Sequence, residues 1–139
     1  MRIKINDKRK IVSLQEEFNK AFPYLRIEFF SRPHHIANGS RKENIIVPHN
    51  KTIGDCRTLH NSKTISVTPA MKVSRLEQLF KDEFGLYVQV FRKSGKIWLE
   101  TTRTDDWTLA EQNEQGEELS KYREEKIKPF PAEDYSDLE

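Results

Sequence analysis

Five side chains able to bind zinc or act as nucleophiles fall between Ser31 and Lys63: His34, His35, His49, Cys56 and His60. They are all four histidines and the only cysteine of the chain. Imidazole and thiolate are the usual zinc ligands, so a composite metal site here is chemically sensible. The spacing argues against it: there is no H-E-x-x-H pattern, and adjacent His34 and His35 cannot easily reach one ion together. One cysteine also excludes an internal disulfide and every multi-cysteine zinc motif. Asp55-Cys56-Arg57 near His60 offers a second chemistry, a thiol whose pKa is lowered by the neighbouring cation. Solvated or locally capping side chains are the plainer reading of all five. No metal, cofactor or catalytic set is assigned.

A second group of residues lies around Ser94-Gly95. If these two form a tight turn, Phe91 faces Trp98 and Val90 faces Leu99 across a hairpin. Alternation then divides the strands into an aliphatic face (Val88, Val90, Ile97, Leu99) and an aromatic one (Tyr87, Phe91, Trp98, with Gln89 and Glu100). Arg92, Lys93 and Lys96 border it, and Arg26 and Phe30 extend it. Rings ringed by cations are how single-stranded nucleic acid is held, although Tyr87 to Phe91 does not reproduce the RNP consensus. The competing role is internal, with Trp107, Leu109, Leu119 and Tyr122 of the C-terminal segment covering the rings.

The elements that would carry these residues occur twice. Arg2 to Ile5 alternates like a half-buried strand. Ile11, Leu14, Phe18 and Phe22 share one helical face, and Val73, Leu76, Phe80 and Phe84 repeat that stripe. Ser13 and Glu16, like Ser74 and Glu77, have capping-box spacing, while Pro23 and Gly85 stop the helices. Strands Leu25 to Phe30 and Leu86 to Arg92 follow, with a one-residue slip between copies. The order β-α-β, then β-α-β-β, predicts an α+β, ferredoxin-like fold: one antiparallel sheet with two helices on one face. A β-grasp arrangement is the alternative.

Repeat units 1–30 and 64–101, the insert 31–63 and a C-terminal helix over about 106–123 make one expected domain, 1–128. The insert is long for a connection and suggests a short strand at Asn44 to Val47 and a helical turn within Thr52 to Thr58. Thr104-Asp105-Asp106 and the Thr108–Glu111 capping box mark the start of the last helix, with Gly116 interrupting it. Adjacent Asp105 and Asp106 read as caps, not as an acid/base pair. Residues 129–139 read as an acidic, disordered tail.

Charge is uneven along the chain. Residues 1–63 carry 13 Lys/Arg against 6 Asp/Glu, whereas residues 101–139 carry 5 against 12. A basic body with an acidic end either binds an anionic partner or folds one part onto the other. The absence of an 18-residue apolar run and of a signal-peptide pattern points to a cytoplasmic protein with no membrane partner.

From Phe91-Arg92-Lys93-Ser94-Gly95-Lys96-Ile97-Trp98-Leu99-Glu100-Thr101-Thr102 to Thr104-Asp105-Asp106-Trp107-Thr108-Leu109, the chain resembles a group of small bacterial (Bacteroidetes-type) proteins. The resemblance spans residues 64–116. It implies a bacterial cytosolic protein and carries no activity and no catalytic residues with it. The expectation is therefore a non-enzymatic module that binds protein or itself through Tyr87, Phe91, Trp98 and Trp107. Single-stranded nucleic acid on the same face, with Arg92, Lys93 and Lys96, is the alternative.

Overall fold

A computed structural model describes residues 1–30 and 47–127, with side chains to Tyr122. His34, His35, most of the expected Asn44 to Val47 strand and the tail 129–139 lie outside the described residues.

The chain runs β1 (Arg2–Ile5), α1 (Ile11–Ala21), β2 (Leu25–Phe30), a 3-10 turn (Ile53–Cys56), β3 (Lys63–Ser66), α2 (Val73–Phe84), β4 (Tyr87–Ser94), β5 (Ile97–Glu100), a second 3-10 turn (Thr102–Thr104) and α3 (Leu109–Ile127). This is an α+β protein. The single sheet expected of a ferredoxin-like fold is instead divided in two: β1 pairs with β3, and β2, β4 and β5 form a separate antiparallel sheet in that order. Alternation tells a strand which face to bury; it does not choose the strand's partner.

Ile3 faces Ile65 in the β1–β3 pair, and Glu28 faces Gln89 in the β2–β4 pair. Long-range backbone bonds hold both helix starts. Ile11 N–H donates to Lys51 O at 2.9 Å and Val12 N–H to His49 O at 3.2 Å; Val73 N–H donates to Trp107 O at 3.0 Å and Ser74 N–H to Asp105 O at 2.7 Å. These distant carbonyls take the place of side-chain caps. Both helices accordingly begin ahead of the expected Ser13 and Ser74 boxes, with no side-chain cap on Lys10 or Lys72. True capping boxes close elsewhere, at Thr52–Asp55 and at Thr108–Glu111.

The core forms where the two helical stripes meet the inward strand residues. Ile11, Leu14, Phe18 and Phe22 join Val73, Leu76, Phe80 and Phe84 over Leu25, Ile27, Phe29, Val88 and Val90. Phe80 sits edge-on to Phe29, ring centroids 6.0 Å apart. Each buried ring contributes about 2–3 kcal/mol of hydrophobic stabilisation.

Helix α3 continues through Gly116, which was expected to interrupt it. A Cβ there would come within 2.8 Å of Tyr24 Cβ and 3.1 Å of Arg92 Cγ, so the glycine lets the helix lie close against β2 and β4. Gly116→Ala should therefore destabilise by about 1–2 kcal/mol in urea unfolding, despite alanine's better helix propensity. A gain in stability would contradict this close-packing account.

Candidate interaction surface

The β4–β5 hairpin turns through Gly95-Lys96, with Ser94 opposite Ile97, Lys93 opposite Trp98 and Phe91 opposite Glu100. The expected turn at Ser94-Gly95 is off by one position because Gly95 has φ 67°. A two-residue hairpin loop with one positive φ needs glycine first, which makes Gly95 the opening loop residue. The resulting register differs by two residues from expectation, an even number, so the two faces keep their members.

One face of this sheet holds Leu25, Ile27, Phe29, Val88 and Val90 in the core. Arg92 belongs to that side. Its Nη1 donates to Gln112 Oε1 at 3.0 Å, and its guanidinium lies 5.8 Å from the Trp107 ring. Helix α3 is fastened there, with Ser120 Oγ accepting from Gly95 N–H at 3.1 Å and Asn113 Oδ1 from Tyr24 N–H at 2.8 Å. Trp107 and α3 thus pack on the Arg92 side and do not lie across Phe91 and Trp98. Trp107 also lines an open groove with Glu111, Glu114, Gln115 and Glu118.

The opposite face carries Arg26, Glu28, Phe30, Tyr87, Gln89, Phe91, Lys93, Trp98 and Glu100. Its centre is closed: Phe30 is 1% exposed, Phe91 9%, Glu28 5% and Gln89 5%. Phe30, Gln89, Phe91 and Glu100 all have interaction partners. Accessibility rises toward the hairpin turn, where Lys93 and Trp98 are half-buried and Lys96 is exposed; Tyr87, at the other end of β4, is also half-buried, and Ile97, 49% exposed, lies on the Arg92 side. The Arg26 guanidinium lies 5.9 Å from the Trp98 ring, while Arg26 Nη2 bonds Glu28 Oε1. Glu28 Oε2 meets His49 Nε2 at 3.2 Å and accepts from Gln15 Nε2 at 3.3 Å. A buried carboxylate thus fixes the arginine that stacks on the tryptophan. Sequence reasoning missed Glu28, because a charged residue within an alternating strand reads as solvent-facing.

Polar side chains also close the strand edges. Gln15 Nε2 donates to Ile27 O at 2.8 Å, and at the matching position of α2 Glu77 Oε2 accepts from Val90 N–H at 3.2 Å. Burial pushes the Glu77 carboxyl up to about 7, against the pull of that N–H and with a smaller push from Asp105.

The described members of the His/Cys group go to separate partners. His49 is on Glu28, and His60 Nδ1 is 2.8 Å from Asp7 Oδ2. The Cys56 thiol donates to Ile53 O at 3.3 Å, and burial pushes it up to about 11. Arg57, expected to lower that pKa, turns its buried guanidinium mainly to Asp7, at 3.0 Å from Nε and 2.8 Å from Nη2. Arg57 holds the Asp7 carboxyl below the usual carboxylate range. Cys56 is thus a protonated thiol at neutral pH, unsuited to nucleophilic attack. Among the described residues, no group of three His, Cys, Asp or Glu side chains could hold a metal ion. No described helix is long and apolar enough to cross a membrane.

Comparison with family models, with curated proteins and with solved structures returns no match to this chain.

Proposed function

We propose that this protein is a non-enzymatic protein-binding module working through the β5 side of its three-stranded sheet. The observation that carries the reading is the Arg26–Trp98 stack, anchored by Glu28 and bordered at the hairpin turn by exposed Lys96. Tryptophan and arginine are the residue types that most often dominate protein interfaces. An arginine preset by a buried carboxylate loses little rotamer freedom on binding. We also infer that the two βαβ halves are copies of one unit, interlocked about a pseudo-twofold axis through the Ile3–Ile65 and Glu28–Gln89 pairs. In that view the shared core supplies stability, and the hairpin is an addition to the second copy.

Peptides selected by phage display on the folded protein test this. They should bind Trp98→Ala at least about 10-fold more weakly, a loss of about 1.4 kcal/mol, while the variant keeps its circular dichroism. Undiminished binding to that variant removes Trp98 from the interface and overturns the reading.

The second reading, single-stranded nucleic acid, retains Lys93 and Lys96 beside Trp98 but loses Arg92 to the other face. Its phosphate contacts would be strongest at low salt, so a labelled oligonucleotide that fails to bind at about 20 mM salt ends it.

A further inference from the structure

Resting on the protein-binding reading, we propose that the partner is a second copy of this chain, paired antiparallel along β5 with Trp98 on the twofold axis. The sheet's two edges are treated differently. Along β2, Leu25 O accepts from Asn19 Nδ2 at 2.9 Å, Ile27 O from Gln15 Nε2 at 2.8 Å and Phe29 O from Val47 N–H at 2.8 Å. Where β4 runs beyond β5, Val90 is closed by Glu77 and by Thr101 Oγ1, the latter at 2.9 Å. Val90 thus directs its polar groups to the β5 side, and Arg92 and Ser94 share that direction. Leu99 and Ile97, their register partners, bond inward, and the backbone N–H and C=O of Trp98 point outward. Among the described residues nothing bonds them. An edge without proline, bulge or cover is a template for another strand.

The segment Lys96-Ile97-Trp98-Leu99-Glu100 is its own antiparallel complement. With Trp98 opposite Trp98 of the second copy, Ile97 meets Leu99 and Lys96 meets Glu100, at both ends. Opposite charges directly across a ladder favour a register, and like charges oppose it. Glu100 is half-buried, with Oε1 enclosed and a contact in its own chain, so Lys96 adds an attraction to the carboxylate and does not replace that contact. The Trp98 pair exchanges two N–H···O bonds, and the two sheets become one of six strands, β2-β4-β5-β5-β4-β2. Such isologous pairing closes on itself and makes a dimer, not a fibre.

Sedimentation velocity on the full chain, from about 1 µM to about 500 µM, should show a reversible monomer–dimer equilibrium of the weak class expected for a short edge. Lys96→Glu, which changes an exposed residue, should weaken it by more than about 10-fold. The register is read by single cysteines at 96, 97 and 98 in a Cys56→Ser background. Only position 98 faces itself, at a Cα separation of about 5.5 Å that a disulfide can span. Mild oxidation should therefore link Trp98→Cys much faster than Lys96→Cys or Ile97→Cys. A wild type that stays monomeric to the highest concentration overturns the second copy as partner, yet leaves the peptide result above intact. Dimers insensitive to Lys96→Glu, or equal linking at the three positions, overturn the β5 register.

Discussion

Arg57→Met is expected to destabilise the fold by about 1–3 kcal/mol, the cost of leaving buried hydrogen-bond partners unsatisfied, because the Asp7 carboxylate is 37% exposed and is solvated by water when the arginine goes. The Arg57 side chain is wholly buried. Its Nε and Nη2 share Asp7 Oδ1, Nη1 reaches Asn61 Oδ1 at 3.0 Å and Phe84 O at 3.3 Å, and Nη2 also bonds Asn61 O. One guanidinium thus joins the loop after β1, the segment before β3 and the C-terminal end of α2. Methionine fills much of the volume but donates nothing, so the buried Phe84 carbonyl loses a partner. Arg57→Lys keeps the charge and lacks the planar fork, so its loss should be intermediate. Urea unfolding measures both. A change under about 1 kcal/mol for Arg57→Met would mean that packing alone holds these segments.

A second long-range contact works in the same way. Tyr24 N–H, between α1 and β2, donates to Asn113 Oδ1 of α3 at 2.8 Å. Each contact fastens one segment to another that is distant in the chain. Neither was legible in the sequence, since an arginine after a cysteine and an asparagine within a charged helix have no local pattern that names a distant carbonyl or amide.

What was legible had a period. The stripes Ile11-Leu14-Phe18-Phe22 and Val73-Leu76-Phe80-Phe84 located both helices and their buried faces, and alternation separated Val88 and Val90 from Phe91 and Trp98; Arg92, expected beside the rings, lies instead on the core side with Val90. Features that depend on a remote partner were not legible. Helix starts shifted because Lys51, His49, Trp107 and Asp105 supply backbone caps from afar, and one expected sheet became two because pairing is a choice among strands. The candidate surface shows the same division. Its rim, exposed Lys96 and half-buried Trp98, follows from the hairpin pattern, whereas the Glu28 anchor is visible only once β2 lies beside β4. Local signals also existed in Thr52-Ile53-Gly54-Asp55 and Thr108-Leu109-Ala110-Glu111, both of which form capping boxes.

Glu77 places a pH dependence on the fold. In the folded chain burial raises its pKa from 4.5 to about 7, so the fold retains a proton that the unfolded chain releases. Below about pH 4.5 both states hold the proton and Glu77 contributes no difference. As pH rises through the window from 4.5 to 7, the unfolded state gains relative stability, and above it the cost levels off at about 3 kcal/mol or less. Glu77→Gln removes the titration while keeping an oxygen that can accept from Val90 N–H, as Gln15 keeps a polar group at the matching place on α1. The variant should therefore match the wild type near pH 4.5 and exceed it by about 2–3 kcal/mol at pH 8. Paired urea titrations at the two pH values read the difference directly. If the gap is the same at both, the carboxylate is already charged in the fold and Val90 N–H outweighs desolvation; if the variant is weaker at pH 8, the charged cap is what holds the open edge of β4.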